Sequence, residues 1–243
     1  MSRLTFPQLF LGLLALAVAA VWVAHVVAGV VRDRNHLRDR MTVTGSAHMP
    51  ISSNLVKWSV SVTGTASTRA AAAFAMQREL RTLEAFLRRA GLPAAALAET
   101  VVESEADVRR VSKTQTRTTY HVTQGLEVTT TKIDVVERAA TSLADLVEQG
   151  LDVSADPLEY ISTDLAQAKL AALKAATADA RRRAEILVQG LGDRLGPMRS
   201  ASLGVYQITP RDSTDVSNYG INDTSSRLKD VTAVVSATFA VES

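Results

Sequence analysis

The sequence predicts an α+β fold, antiparallel sheets packed with long helices, behind one N-terminal transmembrane helix. Three observations lead there. Leu55 to Val62 and Val231 to Val241 alternate apolar and polar residues with the period of half-buried strands. Ser67 to Ala90 and Thr163 to Gly190 repeat small or apolar residues every three or four positions, as amphipathic helices do. Written as elements, strand–helix–strand–strand occurs twice with a shorter helix between the copies, and segregated antiparallel strands and helices mark the α+β class.

The chain divides into residues 1–40, an anchor and basic neck, and residues 41–243, a single domain. Leu4 to Val31 contains no Asp, Glu, Lys or Arg. As a helix those 28 residues would reach about 42 Å, enough to cross a hydrocarbon core of roughly 30 Å with tilt. A cleaved signal peptide is the rival, because Ala17-Val18-Ala19 and Val26-Val27-Ala28 offer small-residue cleavage sites. The run is nevertheless longer than the usual apolar core of about 7–15 residues. Arg32, Arg34, Arg38 and Arg40 follow the run and Arg3 precedes it, so the positive-inside count alone favours a cytoplasmic domain; long domains can be exported against that bias.

Beyond the neck, Thr42 to His48 reads as a short strand. In the next strand Val56, Trp58, Val60 and Val62 share a face opposite Lys57, Ser59 and Ser61. Ser67 or Thr68 caps a helix whose inward stripe is Ala72, Met76, Leu80, Leu83 and Leu87, and Gly91-Leu92-Pro93 ends it. Strands follow over Glu99 to Val108 and Thr118 to Thr131, joined by an exposed polar hairpin, Arg109 to Arg117. Val135 to Gln149 is a shorter helix, and Leu151 to Ile161 is a strand interrupted near Asp156-Pro157. The longest helix begins at Thr163 or Asp164 and is expected to bury Ala166, Leu170, Leu173, Thr177, Ala180, Ala184, Leu187 and Leu191. Gly190, Gly192 and a Leu195-Gly196-Pro197 turn stop it. Arg199 to Thr209 and Val231 to Val241 close the sheet on either side of the Asp/Ser/Asn-rich loop Pro210 to Lys229.

Composition narrows the function. Hydrophobic residues make up 47% of the chain but aromatic ones only 5%, so alanine must fill much of the core and burial per residue is modest. A net charge of +2 gives little support to a nucleic-acid partner. With no cysteine there is no thiol catalysis, thiolate metal site or disulfide.

No catalytic, cofactor-binding or metal-ligating set is legible. His25, His36, His48 and His121 have no ligand spacing, and no nucleophile elbow or Walker loop occurs. Gly190-Leu-Gly192-Asp-Arg-Leu-Gly196 follows a helix C-terminus, the wrong end for phosphate. Arg181, Arg182 and Arg183 splay around a helix as a solvated flank. The loop at 210–229 is longer than most connections, and such loops are either mobile or binding elements. Tyr206, Tyr219 and Ile221 there, with Val231, Val235 and Phe239 on the last strand, are the candidate contacts of a homo-oligomer of more than two chains.

Val43-Thr-Gly45-Ser-Ala47 before a β run, the Ala-rich helix followed by Leu195-Gly196-Pro197, and the valine-rich last strand resemble the SIMPL-domain family, which includes periplasmic and outer-surface immunogenic proteins of the YggE type. The resemblance covers about Met41 to Glu242; Ser53-Asn54 departs from it where many relatives have Pro-Asp. It implies an envelope location with the main domain outside the cytoplasmic membrane, a fold with a repeated motif, and assembly into large oligomers in some relatives. It supplies no catalytic residues. The expectation is a structural, protective or scaffolding protein held to the bilayer by residues 4–31, with recognition of an envelope protein or small ligand through the 109–117 and 210–229 loops as the second reading.

Overall fold

The computed structural model describes residues 19–25 and 40–242. In chain order the elements are β1 (Arg40–Ser52), β2 (Leu55–Ala66), α1 (Arg69–Arg89), β3 (Leu97–Glu99), β4 (Glu103–Arg110), β5 (Thr116–Thr130), α2 (Ile133–Thr141), α3 (Ala144–Glu148), β6 (Val153–Ala155), β7 (Glu159–Ile161), α4 (Leu165–Leu191), β8 (Arg194–Leu203), β9 (Gln207–Pro210), β10 (Ile221–Asn222) and β11 (Leu228–Glu242). The class is α+β, with one sheet antiparallel and the other mixed, because β10 pairs parallel with β9. Most of the apolar run at 4–31 lies outside the described residues. Among the described residues no helix is long and apolar enough to cross a membrane.

The chain forms two compact units. Among the described residues the first comprises 19–25, 40–47, 173–204 and 234–242; the second comprises His48–Ala172 and Val205–Ala233.

In the second unit, β2 and β5 are the central strands, antiparallel from Val56↔Thr130 to Ala66↔Tyr120. β6 and β7 add to the free side of β2, and β3 and β4 to that of β5. The apolar parity expected for β2 holds, since Val56, Trp58, Val60 and Val62 are all buried. Helix α1 lies on this face against β2 and β5 and buries Ala72, Met76, Leu80, Leu83 and Leu87, the stripe expected from the sequence. Each of its buried leucines contributes about 1.5–3 kcal/mol relative to exposure. Thr68 caps the helix by accepting the Ala71 N–H at 3.3 Å. Gly91 follows with φ +103, a left-handed conformation that favours glycine.

The first unit repeats this plan. β1, paired with β11, takes the place of β2; β11 takes that of β5; and β8, antiparallel to β11, takes that of β4. Side-chain bonds Thr42–Thr238 (2.9 Å) and His48–Thr232 (2.9 Å) show that β1 and β11 run antiparallel. The repeated strand–helix–strand–strand unit therefore exists, but its second copy does not open with Leu151 to Ile161. Those residues form β6 and β7 on β2, and the second copy opens with β1, so one module is nested within the other along the chain.

Helix α4 supplies a further correction. Its buried residues are Ala168, Ala172, Ala176, Ala180, Ala184 and Val188, a strict four-residue step. Of the expected stripe only Ala180 and Ala184 belong to it, while Leu170, Leu187 and Leu191 are exposed. The reason is steric. A Cβ built on Gly45 of β1 would lie 2.2 Å from the Ala180 nitrogen and 2.4 Å from the Ala176 carbonyl oxygen, so the helix backbone rests on the strand and only small residues fit between them.

Three smaller expectations also shift. The Val135 to Gln149 helix is two pieces, because its ladder tightens at Ser142–Leu143, where Leu143 N–H donates to the Ala140 carbonyl. Leu195-Gly196-Pro197 is part of strand β8 rather than a turn. β8 is an edge strand whose register shifts between Phe239↔Met198 and Val241↔Leu195, which spares Pro197 a ladder N–H. Arg199 to Thr209 is likewise split, into the end of β8 and β9.

Replacing Ala180 or Ala184 with Leu should overpack the α4 contact and cost about 1–3 kcal/mol, whereas Arg182→Leu on the exposed flank should change little. Urea midpoints of the three variants check this. Equal midpoints would show that the face is wrongly assigned.

Candidate functional site

The long connection from Pro210 to Arg227 is held at several points. Buried Gln207 on β9 clamps its middle with both amide atoms, Nε2 donating to the Ser217 carbonyl at 2.7 Å and Oε1 accepting the Ser217 N–H at 3.3 Å. Asp223 N–H donates to the Ile208 carbonyl, and the Thr224 carbonyl accepts Tyr160 N–H at 2.7 Å. Gly220, at φ +84, closes a turn back to Ser217 and leaves Tyr219 97% and Val216 82% exposed. The loop is therefore an anchored platform rather than a loose hairpin tip.

Its anchor is a lysine. Lys229 is 3% exposed, yet its ammonium donates to the carbonyls of Tyr160 at 2.7 Å and Asp223 at 2.5 Å. Burial pulls its pKa below the ordinary lysine value, and the Asp223 charge opposes that shift. Burial also raises the Asp223 carboxyl, but hydrogen bonds from Ser225 and the charge of Lys229 outweigh it and leave the group below its ordinary value. Asp223 Oδ2 is buried with no hydrogen-bond partner among the described residues. Beside this pair, Tyr160 donates its hydroxyl to Glu137 at 2.9 Å; burial, then that bond, raises the phenol pKa. Arg227 reaches Asp134 and Glu137 at the start of α2. A cavity of about 250 Å³ opens next to Lys229, lined also by Ile51, Ile161, Leu165 and Ile208.

The six candidate contact residues divide into two groups. Val231, Val235 and Phe239 face inward on β11 and are buried, and β11 itself is flanked by β1 on one side and by β8 and β9 on the other. Tyr219 is fully presented. Tyr206 and Ile221 are half-buried, with the Lys169 ammonium 5.6 Å from the Tyr206 ring centroid. The Arg109 to Arg117 hairpin forms as expected, closed by Val111 N–H to the Gln115 carbonyl at 2.9 Å.

Two further features were not foreseen. In the first unit a cleft of about 640 Å³ lies between α4 and β8, with Leu195, Pro197, Met198 and Phe239 as its apolar wall and Lys174, Arg181 and Glu242 among its polar lining. On β1 the Ser46 N–H donates to Asp179 Oδ2 of α4 at 3.0 Å. That bond, reinforced by Arg183, holds the Asp179 carboxyl below its ordinary pKa despite opposing desolvation. In the cleft the Thr177 hydroxyl donates to the Leu173 carbonyl; elsewhere His48 and His121 are bonded to Thr232 and Thr65.

A sequence signal for Lys229 was available. It has the parity of buried Val231, Ala233 and Val235, which marks a lysine pointing into the core.

Lys229→Met would leave two carbonyls without their donor, each costing about 1–3 kcal/mol if it stays dry. A lower urea midpoint and faster proteolysis within 210–229 are the expected readouts; an unchanged midpoint and cleavage rate would remove the lysine as the anchor. The sign of its pH dependence is also set. The folded-state pKa lies below 10.5, so the folded chain releases this proton first, and this group's contribution to stability rises with pH through that window.

A family model for SIMPL, described as a protein of unknown function (DUF541), matches residues 41–239. No curated protein matches the chain.

Proposed function

The chain belongs to the SIMPL family, and from that premise we propose that it is a membrane-tethered scaffold of the cell envelope that works by self-assembly. The observation that carries this reading is the pinned platform at 210–229. A turn fixed by Gln207 and Lys229 holds Tyr219 and Val216 almost wholly in solvent. A tyrosine side chain has only two rotatable χ angles and loses little entropy when a partner covers it, which is one reason tyrosine is common at the centre of interfaces. Free strand edges add to the supply of contacts, since β4 and β1 each have one unpaired side among the described residues. Asp179 shields one N–H on β1, so pairing there is restricted.

Tethering rests on the sequence. The apolar run Leu4–Val31 is long enough to span a bilayer, and parallel tethers raise the local concentration of weakly associating domains. The main domain stands outside the cytoplasmic membrane in this reading, in keeping with the family resemblance and against the arginine count. The apolar cleft of about 640 Å³ favours a second reading, a binding module for a small ligand.

Sedimentation of the full-length chain in neutral detergent should give one discrete species of more than two copies, made smaller by deleting Asp212 to Ser226. A monomer across micromolar concentrations would contradict the proposal.

A further inference from the structure

The hairpin between β4 and β5 and the 212–219 turn of the platform carry opposite charge. The whole chain has a net charge of +2. Residues 109–117 supply Arg109, Arg110, Lys113 and Arg117 with no acid, and residues 1–40 add five arginines and two aspartates. Removing those contributions of +4 and +3 leaves the rest of the domain at −5. The tip thus carries a local excess of four positive charges on a domain whose other residues are net acidic.

That tip is also built for contact. β4 is exposed along almost its whole length and its outer edge is unpaired among the described residues. Val108 and Val111 stand 61% and 59% exposed. Arg109 is paired to Asp107 at 3.1 Å, but Arg110, Lys113 and Arg117 have no acidic partner among the described residues. Two-stranded ribbons are marginal in water by themselves, so a projecting hairpin gains from anything that covers it.

The platform offers the matching set. Asp212 and Asp215 are exposed and in no ion pair among the described residues, and they flank the exposed Val216 and Tyr219. The neighbouring Arg211 is turned toward the Ile51 carbonyl at 3.5 Å. No hydrogen bond or ion pair among the described residues joins the tip to residues 212–219 of the same chain.

We propose that the 109–117 tip of one copy docks on the 212–219 turn of a second copy, cations on Asp212 and Asp215 and Val111 on Val216 and Tyr219. This rests on the self-assembly reading and names its contact. Where two copies do not dock reciprocally about a two-fold axis, the contact is heterologous: each docked copy still has a free tip or a free turn, and pairing continues into a closed ring or an open filament. Salt weakens the attraction, because the screening length falls from about 10 Å at 0.1 M to about 3 Å at 1 M.

The test is charge exchange in the full-length chain in neutral detergent. Arg110→Glu/Lys113→Glu and Asp212→Asn/Asp215→Lys should each weaken association by about tenfold or more in low salt. Mixing the two variants should restore the large species, since reversed tips then meet reversed turns; that recovery also shows both variants to be folded. A second readout uses the absence of cysteine. Ser112→Cys and Thr214→Cys chains, mixed and oxidised, should cross-link to each other faster than either does alone. Wild-type mass in the tip variant, or no recovery on mixing, would overturn the contact while leaving self-assembly standing. A wild-type monomer would overturn both. If the tip variant keeps its mass but loses its hold on vesicles containing anionic lipid relative to neutral ones, the tip reads a membrane surface and the inference fails.

Discussion

The structure depends on two places where a helix backbone touches a strand backbone. In the first unit Gly45 of β1 meets Ala176 and Ala180 of α4. In the second, Gly64 of β2 meets Ala72 and Met76 of α1, where an added Cβ would lie 2.2 Å from both the Ala72 oxygen and the Met76 nitrogen. Contact at this range is possible only where the strand has no side chain and the helix presents small or yielding ones. It fixes the position of each helix along its strand, and the register of the apolar residues on either side follows from it. It also explains how a chain with 5% aromatic residues packs tightly: dispersion contacts between backbones replace large side chains.

Both glycines sit in the same five-residue setting, Val43-Thr-Gly45-Ser-Ala47 and Val62-Thr-Gly64-Thr-Ala66. The repeat is therefore present in the residues as well as in the order of elements. Strand, helix and two further strands give the spatial order β2–β5–β4 in one unit and β1–β11–β8 in the other. Nesting hides the likeness, since the module built on β2 and β5 occupies the chain between β1 and α4.

Much of this was legible locally. The faces of β2 and α1, the caps at Thr68 and Gly91, the break at Asp156-Pro157 and the Arg109 to Arg117 hairpin each follow from a few neighbouring residues. What failed depended on distant partners. Leucines in α4 looked like core because they are apolar, yet Gly45, far away in sequence, dictates that alanines lie there. Pro197 looked like a turn until β8 proved to be an edge. The Lys229 network joins β7, the 210–229 loop and β11, and only parity on β11 hinted at it. Of the six candidate contact residues, the sequence did not distinguish exposed Tyr219 from Val231, Val235 and Phe239, which face inward. A strand's alternation tells which residues share a face and leaves open which face is covered.

The central claim is that each module is set by a helix backbone resting on a strand glycine, and a trio of glycine-to-alanine variants tests it most directly. Gly190 in α4 has nothing within 4 Å of an added Cβ, so Gly190→Ala should hold or raise stability by up to about 1 kcal/mol through a less flexible unfolded chain. Gly45→Ala and Gly64→Ala must push backbone apart and should each lose about 1–3 kcal/mol or more. Urea unfolding that ranks both strand variants well below wild type and Gly190→Ala at or above it is the result the account predicts. Strand variants as stable as wild type would contradict it.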